Sequence, residues 1–276
     1  MRAALLLLLI GCGRVDFDAR ADGALISDTD GDGVADPDDN CPGVANPDQA
    51  NEDGDRFGDA CDPCPPFADA DPIVDADGDG VPDACDPFPT VAGETIALFE
   101  GFTAPTTGLV VGSWTFAGGQ AFAASSVDQL DDLVWPSPGG SAETVMTHLT
   151  IDAELGAGHL RGTGIIHELG TPATNGSTST DGVTCVLGLD TGEREELVII
   201  TNPDIGEVAA DLRPAAPGVT SGLSSTRTGT AYACTADPAL PAVTGTASFP
   251  RANPKLGLHT RSSAAHFDWV MIVRTP

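Results

Sequence analysis

The feature of this sequence that most restricts its fold is a crowd of aspartates in residues 28–86. The segment holds nineteen acidic side chains and one basic side chain, Arg56, and it carries most of the chain's formal net charge of −29. Two like charges about 4 Å apart repel by roughly 1 kcal/mol even in bulk water. Residues 28–86 cannot become compact as an ordinary hydrophobic globule, and we expect them to fold around bound cations.

The acidic residues recur three times at the spacing of a twelve-residue cation-binding loop. Such a loop offers ligands at positions 1, 3, 5, 9 and 12 and a backbone carbonyl at position 7, and it favours glycine at position 6. The first copy supplies Asp28, Asp30, Asp32, Val34, Asp36 and Asp39, the second Asn51, Asp53, Asp55, Phe57, Asp59 and Asp62, and the third Asp75, Asp77, Asp79, Val81, Asp83 and Asp86. We expect each copy to bind Ca²⁺, because calcium accepts many flexible oxygen ligands more readily than magnesium does.

The three copies are not equivalent. Gly33 and Gly80 occupy position 6 in the first and third copies, whereas Arg56 occupies it in the second, which we expect to be the weakest or most distorted site. Prolines around the loops, such as Pro37 and Pro42, would interrupt flanking helices, so a helix–loop–helix calcium switch is not expected. A solvated acidic linker is the alternative interpretation of this segment.

Six cysteines remain besides Cys12, which lies near the N-terminus. An even number in an exported chain favours disulfides, although six cysteines allow 15 pairings. Two sequential loops of similar length, and one pair that lies alone in the second half, predict three bridges: Cys41 with Cys61, Cys64 with Cys85, and Cys185 with Cys234. The sequence Cys61-Asp-Pro-Cys64 also has the form of a zinc or redox motif, but it has no second such pair.

Three short elements extend the pattern: Asp39-Asn-Cys41-Pro, Asn46-Pro-Asp48-Gln, and the Asp-Ala-Cys-Asp sequences that end at Asp62 and Asp86. With these elements, residues 28–86 resemble thrombospondin type-3 repeats. The resemblance implies a chain with little regular secondary structure, wrapped around a row of calcium ions and linked by successive disulfides. It also implies more than one ion per repeat, which adds Asp38, Asp48, Asp69 and Asp71 as further candidate ligands.

The N-terminus predicts export. Arg2 precedes an apolar run, Leu5–Ile10, that is too short to span a bilayer. Leu9-Ile-Gly-Cys12 resembles the bacterial lipobox, which implies acylation of Cys12 and an outer-membrane or cell-surface lipoprotein; a plain secretory signal is the alternative. We therefore divide the chain into a signal peptide (1–11), a lipidated linker (12–27), the acidic repeats (28–86), a second linker (87–94) and a larger domain (95–276).

The larger domain has the pattern of an antiparallel β-sandwich. Short alternating apolar runs are separated by Gly, Pro, Ser and Thr, and they predict strands at 96–102, 109–116, 143–152, 182–189, 196–201, 231–235, 255–260 and 266–274. In 143–152, Val145, Thr147, Leu149 and Ile151 share one face; in 266–274, Phe267, Trp269, Met271 and Val273 do. Gly112-Ser-Trp114 and the sequence from Gly257 to Val270 resemble strands of concanavalin A-like jelly rolls of the laminin-G type. That resemblance implies sugar or protein binding in many members and glycan hydrolysis in some.

Several functions can be weighed from the sequence. One Lys and the strong negative charge argue against nucleic-acid binding. The nearest candidates for a hydrolytic carboxylate pair are Asp152 with Glu154, and Glu193 with Glu195 and Glu196; neither matches the Glu-x-Asp-x-x-Glu motif of jelly-roll glucanases. The five histidines lack metal-ligand spacing, and Trp135 is a candidate for stacking on a sugar. We expect a calcium-binding surface protein, without enzymatic activity, whose sandwich head on an acidic stalk binds a glycan or protein; a sugar hydrolase and a passive spacer are the alternatives.

Overall fold

The computed structural model describes residues 27–69, 72–125, 130–154, 162–169, 182–189, 194–201, 206–214, 218–237, 240–247 and 253–276. The predicted signal peptide and lipidated Cys12 lie outside these residues. Among the described residues no helix has the length and apolar character needed to cross a membrane. The regular secondary structure of these residues is entirely β.

Fifteen strands form the larger domain in the described part of the chain. They are β1 (Thr95–Glu100), β2 (Leu109–Val111), β3 (Trp114–Ala117), β4 (Gln120–Ala124), β5 (Leu130–Pro136), β6 (Ala142–Glu154), β7 (Gly162–Leu169), β8 (Val183–Leu189), β9 (Arg194–Thr201), β10 (Gly206–Pro214), β11 (Thr220–Thr228), β12 (Ala231–Asp237), β13 (Leu240–Thr246), β14 (Lys255–Arg261) and β15 (Ser263–Thr275). Each predicted strand region contains an observed strand. Six strands, β4, β5, β7, β10, β11 and β13, were not predicted.

The strands form two antiparallel sheets that pack as a β-sandwich. Sheet A has the order β13-β12-β11-β6-β15-β4-β3, with β1 also paired to β15, and sheet B has the order β10-β9-β8-β7-β14-β5-β2. The core between them contains the inward side chains of both sheets, including Val145 and Leu149 of β6 and Leu258 of β14. The predicted antiparallel sandwich is therefore confirmed.

The predicted strand 109–116 is two strands in the structure. β2 pairs with β5 in sheet B, and β3 pairs with β4 in sheet A, so the chain crosses between the sheets at Gly112. Gly112 has a φ of 92°, and a Cβ atom there would overlap the Asp131 carboxylate. The prediction joined the two strands because apolar residues lie on both sides of Gly112; Trp114 of β3 is buried in the core, whereas Leu109 and Val110 of β2 are exposed.

The sequence pattern of 266–274 predicts four side chains on one face, and the structure contradicts this for the first of them, Phe267. A β-bulge lies between Phe267 and Trp269 where β15 pairs with β6; it adds one residue to β15 and places Phe267 on the opposite face of the sheet from Trp269. Phe267 therefore lies in the sandwich core. Trp269, Met271 and Val273 lie on the opposite, outer face of sheet A.

Residues 28–86 do not extend from the sandwich as a free stalk, because the part of the segment from Cys64 to Cys85 lies against the outer face of sheet A. Val81 and the disulfide-bonded Cys64 and Cys85 are buried in one hydrophobic cluster with Trp269 and Met271. The Phe67 ring meets the Trp269 ring edge-on, with a centroid separation of 5.6 Å. Because the bulge turns three large side chains of β15 outward, the acidic segment covers apolar surface that water would otherwise contact.

Disulfides join the pairs that the sequence predicted. Cys41 is bonded to Cys61, and Cys64 to Cys85, within the acidic segment. Cys185 of β8 is bonded to Cys234 of β12, so this bridge links sheet B to sheet A through the core. The structure thus has two cross-links in the region without regular strands and one in the sandwich.

Candidate metal centres

Among the described residues, three groups of carboxylates converge, one at each copy of the loop. In each group the ligand atoms lie within 4.8 Å of one another. The groups are Asp28, Asp30 and Asp32; Asp53, Asp55 and Asp62; and Asp77, Asp79, Asp86 and Glu94. Positions 3 and 5 of the predicted loop belong to all three groups, and position 12 belongs to the second and third.

A shared hydrogen-bond pattern shapes the three loops. The side chain at position 1 accepts a hydrogen bond from the backbone N–H at position 4: Gly31 to Asp28 at 2.8 Å, Gly54 to Asn51 at 2.6 Å, and Gly78 to Asp75 at 2.7 Å. The carboxylate at position 5 accepts one from position 7, at 2.7 to 2.9 Å in the three copies. These bonds hold successive aspartates on the inside of the turn.

The aspartates at position 9 contribute differently from their neighbours. Asp36, Asp59 and Asp83 each accept a hydrogen bond of 2.8 Å from the backbone N–H of position 2 and lie outside the three groups of converging carboxylates. Thr29 also donates its hydroxyl to Asp36 at 2.9 Å, and these bonds lower the pKa of Asp36. The position-9 residues therefore close each loop, whatever they contribute to an ion.

Each loop is also tied to the chain fourteen residues beyond position 5. The second carboxylate oxygen at position 5 accepts a backbone N–H from Asn46 in the first copy (2.8 Å), from Asp69 in the second (3.1 Å) and from Gly93 in the third (2.9 Å). The repeat therefore continues past residue 86. Its last part lies in residues 87–94, which were predicted to be a linker.

Several buried carboxylate oxygens in the segment have no hydrogen-bond partner. One such oxygen belongs to each of Asp30, Asp39, Asp53, Asp69, Asp86 and Glu94, and both oxygens of Asp77 are in this state. A buried carboxylate without a partner costs free energy that a native structure rarely leaves uncompensated. An ion with an oxygen-only ligand set, as calcium has, fits these groups because it would satisfy the vacant lone pairs and neutralise the charge.

The titration of these carboxyls reflects the same crowding. Burial raises the pKa of Asp62 to about 7, and the charges of Asp55, Asp53 and Asp69 add to the effect. Burial, followed by the charges of Asp59 and Asp268, raises the pKa of Glu52 to about 7. The segment therefore holds its carboxylates in an arrangement that is unfavourable without added positive charge.

The second loop forms despite Arg56 at position 6. Gly33 and Gly80, at the same position in the other copies, both have a φ of 98°, whereas Arg56 is not among the residues with positive φ. The Arg56 guanidinium lies over the Phe57 ring, 4.5 Å from its centroid. Weaker binding at this copy stays a prediction, and so do the carbonyl ligands Val34, Phe57 and Val81.

The further ligands implied by the family resemblance fall into three cases. Asp69 has a buried oxygen without a partner, next to the second group. Asp38 and Asp48 lie outside the three groups, and Asp71 lies outside the described residues. Sequence reasoning missed Glu94, although a repeat frame continued beyond position 12 reaches the segment that contains it.

The sandwich residues considered for catalysis or sugar stacking either make other contacts or lie outside the described part of the structure. Trp135 is 4% exposed, and its indole N–H donates to Glu100 at 3.1 Å, so it is not available to stack on a sugar. Asp152 Oδ2 lies within hydrogen-bond distance of His266 Nδ1, at 3.0 Å, on the surface. The side chains of Glu154, Glu195 and Glu196, and all of Glu193, lie outside the described part of the structure.

Three of the five histidines are fixed by buried or surface partners. His259 pairs with Asp132 at 2.7 Å inside sheet B, His266 pairs with Asp152, and the buried His167 donates its Nε2–H to the Ser225 carbonyl at 3.1 Å. His159 lies outside the described residues. His148 lines a groove, and burial lowers its pKa against the opposing effect of Asp268 and Asp237.

This groove, on the outer face of sheet A, has a volume of about 200 Å³. Its lining combines aromatic, hydroxyl and carboxylate groups: Phe67, Met146, His148, Ser224, Thr235, Asp237 and Trp269. Phe67 belongs to the acidic segment, whereas the other residues belong to β6, β11, β12 and β15. The groove is complete only when the acidic segment is docked on the sandwich.

The chain has structural neighbours among known proteins. No protein-family model and no curated protein sequence matches the chain. A mutant of the GH43 protein BlXynB of Bacillus licheniformis is 14% identical with a TM-score of 0.47, the match covering 64% of this chain and 39% of that one. The Emp47p carbohydrate recognition domain is 9% identical (TM-score 0.46; 64% and 94% covered), and the carbohydrate-binding module CBM66 of Bacillus subtilis is 16% identical (TM-score 0.40; 59% and 92% covered).

Proposed function

We propose that residues 28–86 bind calcium ions, that these ions hold the segment against the β-sandwich, and that the protein acts as a calcium-dependent binding protein. The observation that carries this proposal is the convergence of three carboxylate groups with buried oxygens that have no hydrogen-bond partner. The resemblance to thrombospondin type-3 repeats agrees with it.

The ligand set favours calcium over other ions. Every converging side chain is a carboxylate, and the cysteines of the segment are consumed in disulfides, which leaves no thiolate for zinc. Magnesium requires a small octahedral shell and keeps its waters, whereas calcium accepts six to eight oxygens in flexible geometry. Extracellular modules of this type bind calcium with a Kd of about 10⁻⁴ to 10⁻³ M.

Calorimetric titration of calcium into the chelator-treated mature protein tests this proposal. We expect at least three ions to bind and the hydrodynamic radius to fall, because ion binding and folding of the segment are one event. Asp30→Asn, Asp53→Asn and Asp77→Asn should each remove or weaken one binding event. Asp152→Asn, which makes the same charge change on the sandwich surface, should change neither the number of ions nor their affinity. Fewer than two bound ions and an unchanged radius would refute the proposal.

We further propose that the groove beside Phe67 is the ligand site of the sandwich and that its ligand is a glycan. The partly exposed rings of Phe67 and His148, with nearby hydroxyl and carboxylate groups, suit the apolar faces and hydroxyls of a sugar ring, and the buried Trp269 packs against both rings. Asp237 is the carboxylate of the groove lining, and a single carboxylate suits binding better than retaining hydrolysis, which uses two. A surface protein as ligand and a sugar hydrolase activity elsewhere on the sandwich are the competing proposals.

A glycan array probed with and without calcium tests the groove. We expect binding that requires calcium, because Phe67 is positioned by the acidic segment. Phe67→Ala should abolish the binding, whereas Phe57→Ala, which removes an aromatic ring from the same segment outside the groove, should preserve it. Binding that survives both chelation and Phe67→Ala would place the ligand elsewhere.

The cellular address stays a proposal from the N-terminal sequence. We propose that Cys12 is acylated after removal of residues 1–11 and that the protein is attached to the outer membrane or cell surface. More than one acyl chain would be required for stable attachment, since a single chain gives marginal binding. Such an address would expose the acidic segment to extracellular calcium.

A further inference from the structure

Glu94 lies in the stretch between the acidic repeats and the first strand. It is 1% exposed, and its Oε2 atom has no hydrogen-bond partner. Its carboxylate converges with those of Asp77, Asp79 and Asp86, all from the third loop. A glutamate that follows the loop by eight residues therefore belongs to the same group of carboxylates as the loop itself.

The backbone brings Glu94 to this position by the same connection that the other two loops use. Asp79 Oδ2 accepts hydrogen bonds from the N–H groups of Gly93 at 2.9 Å and Glu94 at 2.6 Å. The equivalent oxygens of Asp32 and Asp55 accept single bonds from Asn46 and Asp69. The third copy alone continues directly into the sandwich, because β1 begins at Thr95.

The second oxygen of Glu94 faces the other end of the chain. Glu94 Oε1 accepts a hydrogen bond from the Thr275 hydroxyl at 3.0 Å, at the last residue of β15. Thr95 pairs with Arg274, so Glu94 sits beside the paired ends of β1 and β15. The Glu94 carboxylate thus converges with those of the third loop and also accepts a hydrogen bond from the end of β15.

We infer that Glu94 is a ligand of the calcium ion in the third loop, and that this ion clamps the acidic segment to the paired ends of β1 and β15. The inference rests on the proposed calcium binding of residues 28–86. The site has four carboxylates, one more than either of the other groups. Asp86, which is 8% exposed, and Glu94 are the buried members of the group, and both carboxylate oxygens of the half-buried Asp77 lack partners.

The geometry separates this site from the first two. The first and second groups draw their carboxylates from their own twelve-residue loops. An ion there can order its loop without contacting the sandwich. An ion in the third group would order the third loop, residue 94 and, through Thr275, the C-terminal strand together.

Calcium titration of the full chain, with hydrogen exchange followed by region, tests the clamp. We expect Glu94→Gln to abolish one binding event or to weaken it by about 100-fold, and Thr275→Val to weaken the same event by about tenfold, as loss of a partner of a metal ligand does. In both variants calcium should no longer protect the amides of β1 and the end of β15, while calcium-dependent protection of residues 28–62 persists. Glu52→Gln is the matched control, because it makes the same change at a glutamate of the acidic segment that lies outside every group, and it should leave all binding events intact.

The outcomes separate the clamp from calcium binding itself. If Glu94→Gln binds as many ions as the wild-type chain with unchanged affinities, the clamp is refuted while the proposed function survives. If the wild-type chain binds no calcium, both fail. Unchanged thermal unfolding of the sandwich in Glu94→Gln guards against loss through misfolding. If Glu94→Gln misfolds, Thr275→Val provides the test by itself. Unaltered calcium binding at the third loop in Thr275→Val then refutes the clamp.

Discussion

Residues 28–86 and residues 95–276 reach a defined structure by different physical routes. The sandwich buries alternate side chains of two sheets in a common core, and its strands satisfy one another's backbone groups. The acidic segment has no strands and few apolar residues among its described positions. Its turns are held by carboxylates that accept backbone N–H groups, by two disulfides and by one apolar patch against sheet A.

The difference determines what each region depends on. Hydrophobic burial and strand pairing are properties of the sandwich chain itself. The acidic segment crowds like charges and leaves buried oxygens unsatisfied, so its fold depends on what the solution supplies. We therefore expect the two regions to respond separately to mutation, cross-link removal and pH.

A core truncation should separate the regions most strongly. Phe267 is fully buried in the sandwich, so Phe267→Ala should lower the free energy of unfolding by about 3–5 kcal/mol. Phe67 contributes edge-on ring contacts at the docking surface, so Phe67→Ala should cost about 1 kcal/mol. Urea unfolding at saturating calcium measures both. Equal losses would show that the segment and the sandwich share one cooperative core.

Removal of single disulfides should give the next largest effect. Cys41→Ala with Cys61→Ala opens a loop of 20 residues, and Cys185→Ala with Cys234→Ala opens one of 49, which corresponds to about 3 and 4 kcal/mol. Excess calcium should offset the first loss, because ions bind only the folded segment, and should leave the second unchanged. Calcium-dependent unfolding curves compare the two variants. Rescue of the second variant by calcium would contradict the separation.

A smaller effect than core truncation or disulfide removal concerns the buried His167 of the sandwich. Burial lowers its pKa to about 4, with Arg227 acting in the same direction and with Glu143 and the Ser225 carbonyl opposing. The unfolded chain binds a proton at His167 below about pH 6.5, whereas the folded chain binds it only near pH 4. The free energy of unfolding should therefore fall as pH drops from 6.5 towards 4, by about 2 kcal/mol at pH 5.

His167→Gln removes this titration and keeps an N–H donor for Ser225. The difference in unfolding free energy between pH 7 and pH 5 should therefore be smaller in His167→Gln than in the wild-type chain, by that amount. A wild-type pH dependence in His167→Gln would assign the effect to other groups.

Local spacing carried the predictions that succeeded. The alternate aspartates of each loop converge as their spacing indicates, because a tight turn bounded by glycine brings positions 3 and 5 to one side over a few residues. The two successive cysteine pairs lie in loops of similar length, and their bonding follows that spacing. Strands with regular alternation, such as β6, were recognised for the same local reason.

Polar or interrupted strands were missed. β11 reads Thr-Ser-Gly-Leu-Ser-Ser-Thr-Arg-Thr and buries Leu223 between small polar residues, so its strand character comes from its neighbours β6 and β12. β5 contains Asp131 and Asp132, both buried, which a hydrophobic pattern would assign to a turn. Pairing partners distant in sequence compensate for a weak local signal.

The sequence by itself determined that the amino-terminal aspartates form three turns, which cysteines pair, and that the remainder is an antiparallel sandwich, because these follow from spacing over a few to about twenty residues. Only the tertiary structure decided that the acidic segment lies on sheet A, that the bulge turns Trp269 towards it, and that Glu94 joins the third group of carboxylates. These features depend on contacts between residues far apart in the chain, such as Glu94 and Thr275, and no local period encodes them.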